Sequence, residues 1–119
     1  MKQFKILTYY SCLFVLVSCG NYKNTSTLSM HERQKLESSP PTYTYLKDEV
    51  FQICRYCHTG RRPYLFNYQD IQAVVVPGKP EESKLFEMVS SGRMPKGGRL
   101  SNKKIWAIYY WIKNGAKND

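Results

Sequence analysis

The chain has 119 residues, 18 Lys and Arg against nine Asp and Glu, a net charge of +9, and 42% hydrophobic and 14% aromatic residues. A large multidomain enzyme and a fully disordered polypeptide are both disfavoured by those values. One small domain fits, and domains of that size usually need a disulfide, metal or cofactor as a staple, which turns attention to the four cysteines.

The first segment reads as an export signal. Lys2 and Lys5 give a positive start, and Ile6 to Val17 is mostly apolar but shorter than the roughly 20 residues a spanning helix requires. The run ends in Leu16-Val17-Ser18-Cys19-Gly20, which resembles a bacterial lipobox, whose cysteine is acylated and becomes the new amino terminus. Residues 1–18 are therefore expected to be a lipoprotein signal peptide and Cys19 a lipid anchor. Several acyl chains on one cysteine make release slow, so the expected location is the cell envelope, on the periplasmic side or at the outer membrane. Removal of the signal takes Cys12 with it and leaves only Cys54 and Cys57 unassigned.

Residues 19–44 are rich in Ser, Thr and Asn, end in Ser38-Ser39-Pro40-Pro41, and carry few apolar side chains beyond Leu28, Met30 and Leu36. They are expected to be a lipidated flexible tether with an r.m.s. span of roughly 28 Å. The stretch from His31 to Glu37 suits a helical turn or two, although a solvated linker is the favoured reading.

From about Thr44 the chain becomes aromatic and apolar. Leu46, Val50, Ile53, Cys54 and Cys57 recur at helical spacing, with Asp48 and Glu49 near the start, and predict one amphipathic helix leading into Cys54-Arg55-Tyr56-Cys57-His58. Cysteines three apart share a helical face, where both sulfurs can bond to the two vinyl groups of one porphyrin, and the adjacent imidazole can reach the iron. Other uses of this spacing need different surroundings. A thioredoxin-like pair would sit near a strand-helix-strand pattern, which is not visible. Structural zinc usually wants four ligands, and the only other histidine is His31. A plain disulfide suits an exported protein but gives His58 no role.

The motif resembles that of the monohaem c-type cytochromes, in small bacterial domains of class I type. The likeness covers residues 45–117 and includes Val76-Pro77-Gly78-Lys79-Pro80-Glu81-Glu82-Ser83-Lys84-Leu85-Phe86, Gly92-Arg93-Met94-Pro95, Leu100-Ser101 and Trp111-Ile112-Lys113-Asn114-Gly115-Ala116. The resemblance implies an all-α domain of about three main helices around one covalently attached haem c. Cys54 and Cys57 would carry the thioethers, and His58 and Met94 would be the axial ligands. It also implies that a backbone carbonyl accepts the proximal imidazole N–H, with Pro63 as the candidate acceptor.

The remaining landmarks have physical readings of their own. Asn67 can cap a short turn through Asp70 and Ile71, and Val74 to Val76 is expected to be extended. Pro77-Gly78 is turn chemistry, and Pro80, Glu81 and Glu82 suit the start of a helix running to Ser90, with Met88 in the core. Gly92, Pro95, Gly97 and Gly98 interrupt any periodicity and put Met94 on a loop. Ser101 is a plausible N-cap for a last helix with a core stripe of Ile105, Ile108, Tyr109 and Ile112, flanked by Trp106, Tyr110 and Trp111 and ended by Gly115.

Charge is unevenly placed. Residues 93–117 hold Arg93, Lys96, Arg99, Lys103, Lys104, Lys113 and Lys117 with no acid. Arg93, Lys96, Arg99, Lys103 and Lys104 are expected to steer acidic redox partners, with attraction to anionic headgroups as an alternative. Nucleic acid is not an expected partner of a chain exported to a membrane surface. These readings give a membrane-anchored one-electron carrier rather than an enzyme. A haem-based sensor or ligand-binding module, or a subunit feeding electrons into a larger oxidoreductase, is the alternative.

Overall fold

Cap and turn residues divide the chain into short helices. In the computed structural model, which describes residues 28–119, these are α1 (Met30–Ser38), α2 (Tyr43–Glu49), α3 (Gln52–His58), α4 (Tyr68–Gln72), α5 (Lys84–Ser90) and α6 (Asn102–Lys113). A 3-10 turn at Pro80–Glu82 precedes α5, and no strand occurs among the described residues. The architecture is a small all-α domain. The expected signal peptide 1–18, Cys19 and the first part of the tether lie outside the described residues. No described helix is long and apolar enough to cross a membrane.

Several helices begin where side-chain oxygens satisfy otherwise unpaired amides. Ser101 accepts the Lys104 amide at 3.4 Å, and Asn67 accepts the Asp70 amide at 2.9 Å while Asp70 accepts the Asn67 amide at 3.2 Å. Both caps agree with the sequence expectation.

The helix expected to run unbroken into the cysteine motif is two helices. The amides of Val50 and Phe51 both donate to the Leu46 carbonyl, at 2.9 and 2.8 Å, and the chain bends there. Adjacent residues on a continuous helix point about 100° apart. The bend instead turns both Val50 and Phe51 into the core, where they are almost fully buried, and leaves Ile53 45% exposed. Ile53 is therefore not part of the core stripe.

The second expected helix is interrupted as well. Ser83 separates the 3-10 turn from α5 and is fully buried. Its hydroxyl accepts the Val76 amide at 2.8 Å and donates to the Lys79 carbonyl at 2.8 Å. Val74 lies in a turn rather than an extended stretch, and its carbonyl accepts the Leu85 amide at 2.9 Å. Leu85 and Val89 are the core residues of α5, whereas Met88 is only half-buried.

Helix α6 organises the core. Ile105, Ile108 and Ile112 are buried as expected, but Tyr109 is half-buried and Trp111, expected on a flank, is 2% exposed. The Trp111 ring lies 6.1 Å from Tyr43 and 6.2 Å from Phe51, centroid to centroid, and its Nε1 donates to the Lys117 carbonyl at 2.9 Å. Beyond Gly115, whose φ of +95° suits glycine, the Ala116 carbonyl accepts Tyr68 Oη at 2.8 Å and Gln72 Nε2 at 3.1 Å. The Tyr43 amide donates to Asp119 Oδ1 at 2.8 Å, and the Thr44 amide to the Asp119 carbonyl at 3.0 Å. These bonds tie the start of α2 to the residues after α6.

Helix α1 occupies a stretch for which the sequence favours a solvated linker. Ser29 and Glu32 form a reciprocal cap at its start, and none of its residues is buried. It lies beside α6, with the Arg33 guanidinium 4.5 Å from the Trp106 ring centroid and Lys113 Nζ 3.2 Å from Glu37. Its sequence lacks an apolar stripe, so the helix rests on its cap and on these few contacts.

Candidate functional site

The cysteine motif occupies the second half of α3. Cys54 and Cys57 are both free thiols; Cys54 is half-buried and packs against the core, whereas Cys57 is exposed. Burial pushes the Cys54 thiol above its ordinary pKa, and the neighbouring Cys57 adds to the shift. A resting nucleophilic thiolate requires the opposite surroundings.

His58 is the last residue of α3 and is buried. Its Nδ1 lies 2.7 Å from the Pro63 carbonyl oxygen, the acceptor suggested by the family resemblance. With Nδ1–H donated to that carbonyl, the imidazole lone pair resides on Nε2. The Leu65 amide donates to the His58 carbonyl at 3.2 Å, so the loop after α3 returns to the histidine and is fastened at both ring and backbone. The Arg62–Pro63 peptide bond is cis.

The surroundings of the motif are unusually apolar for solvent-facing residues. Ile53, Tyr56, Tyr64 and Phe66 are all exposed, Tyr56 to 88%. Leu65, between Tyr64 and Phe66, is buried. Arg55 stacks over Phe66 with its guanidinium carbon 4.5 Å from the ring centroid. Tyr64, Leu65 and Phe66 are all apolar in the sequence, so their in-out alternation is a finding of the structure.

Met94 stands on the separate loop between α5 and α6, half-buried, with its amide donating to the Met88 carbonyl at 3.0 Å. Gly92 and Gly97, with φ of +73° and +77°, shape this loop, and the Met94–Pro95 bond is cis. No hydrogen bond among the described residues joins residues 92–98 to the cysteine motif. Cys54, Cys57, His58 and Pro63 stand together on α3 and the loop after it, and Met94 stands on the connection between α5 and α6. Farther along the same connection, Arg99, Leu100 and Ser101 face Glu49, Ile53 and Tyr56 across a cleft of about 470 Å³.

The five basic residues expected to steer partners differ in their surroundings. Arg93 is ion-paired with Glu87. Hydrogen bonds from Lys84 and then Arg93 hold the Glu87 carboxyl below its ordinary pKa. Lys104 donates to the Glu49 carbonyl. Lys96, Arg99 and Lys103 are exposed, with no carboxylate among the described residues within ion-pair distance.

No group of three or more His, Cys, Asp or Glu placed to hold a metal ion occurs among the described residues. In comparisons with known proteins, no family model, curated protein or solved structure matches the chain.

Proposed function

We propose that the chain is a membrane-anchored one-electron carrier with one covalently bound haem c. The observation that carries this reading is the pairing of two free thiols one helical turn apart with a buried histidine whose Nδ1 is taken by the Pro63 carbonyl. That arrangement fits the group in three respects. The sulfurs share one helical face, the free imidazole nitrogen is suited to a metal, and several apolar side chains around the motif are exposed.

Bound haem supplies an Fe(III)/Fe(II) couple that accepts and returns one electron. The chain's own residues would hold and tune it. Cys54 and Cys57 would carry the thioethers, and His58 Nε2 would bind on one side, with the Pro63 carbonyl fixing the ring and raising its basicity. Met94 would supply a second ligand to the group, a thioether of the kind that favours the reduced state and raises the potential. Cys19 is the proposed lipid anchor. A thiol-disulfide role is less well supported, since burial disfavours the Cys54 thiolate.

The test is a visible spectrum and a haem stain after denaturing electrophoresis, on full-length protein exported in a host with haem-attachment machinery, together with the mass of the mature amino terminus. A covalent haem band and an acylated Cys19 are expected, and a colourless protein overturns the reading. Met94→Ala should abolish the iron–sulfur charge-transfer band of the oxidised protein and lower the potential. An unchanged band assigns the ligand elsewhere. A carbon monoxide shift in the reduced, unsubstituted protein favours a ligand-binding module instead.

A further inference from the structure

Where the chain joins the domain constrains which face meets a membrane. Helices α1 and α6 run side by side in the same direction. Glu32 is close enough to Lys103 to be influenced by its charge, Arg33 lies over Trp106, and Glu37 pairs with Lys113. Leu28 and His31 share a groove with Lys103 and Ala107, so the chain arrives beside the amino end of α6. Nine residue steps separate Cys19 from Leu28. At no more than about 3.6 Å per step, they hold that end of the domain within about 32 Å of any lipid on Cys19.

The amino end of α6 is also where the unbalanced charge collects. Arg99, Lys103 and Lys104 lie on or just before its first turn, with Lys96 in the preceding loop. Glu32 lies near Lys103, and the Glu49 backbone carbonyl accepts from Lys104. The positive end of the α6 dipole adds to the basic side.

We infer that this face docks on anionic lipid headgroups. The inference rests on the membrane-anchored reading and deepens it. A soluble acidic protein would approach the domain on the side crowded by the membrane, whereas headgroups lie within reach of the same lysines and arginine. The attraction acts within about 8–10 Å of the surface at physiological salt, so the anchor supplies proximity and the basic end of α6 supplies orientation. The basic residues expected from sequence to steer redox partners are thereby assigned largely to the membrane.

The experiment uses full-length protein reconstituted into vesicles of phosphatidylcholine alone or mixed with phosphatidylglycerol. Lysines are labelled with an amine-reactive reagent and the sites read by mass spectrometry. On anionic vesicles Lys96 and Lys103 should label at least about 5-fold more slowly than on neutral ones, the factor one basic group near such a surface contributes. Lys117, beyond the other end of α6, should be unchanged, and added salt should remove the difference. Arg99→Gln with Lys104→Gln should also restore Lys103 labelling. Equal labelling on both vesicle types, equal protection of Lys117, or protection only when an acidic protein is added overturns the inference. A haem stain of the same samples separates the two readings. Protection without haem sinks the electron carrier and leaves the docking face, whereas haem without protection does the reverse.

Discussion

The α6 core and the segment from Ile53 to Phe66 use similar side chains to opposite effect. In the core, Trp111, Ile108 and Ile112 meet Tyr43, Leu46 and Phe51, and almost nothing remains exposed. Around the cysteine motif, Ile53, Tyr56, Tyr64 and Phe66 stay open to solvent, although His58 beside them is buried and fixed. The first region completes its burial with protein alone. The second holds a chemically equipped helix end inside an apolar surround that the protein leaves open. Exposed apolar side chains gathered around one motif mark a surface suited to a partner or ligand.

The contrast can be broken at either region. The largest effect should come from Cys54→Ala with Cys57→Ala, which leaves no sulfur to form a thioether. A haem stain should fall to background, and a retained covalent band would place the attachment elsewhere. Trp111→Ala removes the ring linking α6 to Tyr43 and Phe51 and should cost about 3–5 kcal/mol in denaturant unfolding. Ser83→Ala removes the buried hydroxyl that accepts the Val76 amide and donates to the Lys79 carbonyl, and should cost about 1 kcal/mol by the same measurement. Tyr56→Ser, made in the chain lacking both motif cysteines, should change stability by less than about 0.5 kcal/mol, since the ring is 88% exposed. A larger loss there would mean that protein covers Tyr56 and would erase the distinction between the regions.

Much of the second half was legible because its signals are local. Ser101, Asn67, Pro80 and Gly115 each act through their own backbone, and each occupies the cap, turn or helix start that its chemistry suggests. The Pro63 acceptor was also legible, but through family likeness rather than spacing. Features that depend on distant partners were not. The bend at Val50 and Phe51 preserves an apolar pattern that reads equally well as one helix, and Trp111 becomes central only because two sides of α6 are covered. Ser83 carries no periodic signal, since its importance lies in bonds to Val76 and Lys79. Helix α1 has no apolar stripe to announce it, and its attachment runs through Arg33 and Glu37 to residues about 75 positions away.

The bonds from Tyr43 and Thr44 to Asp119 bear on the order in which the domain can form during synthesis. A ribosome delivers α2 and the cysteine helix before their apolar partners on α6 and the acceptor on Asp119. The nascent chain therefore has no native lining for Leu46 and Phe51 until translation reaches the carboxyl side of α6. During that interval Cys54 also lacks the core packing that half-buries it in the folded domain.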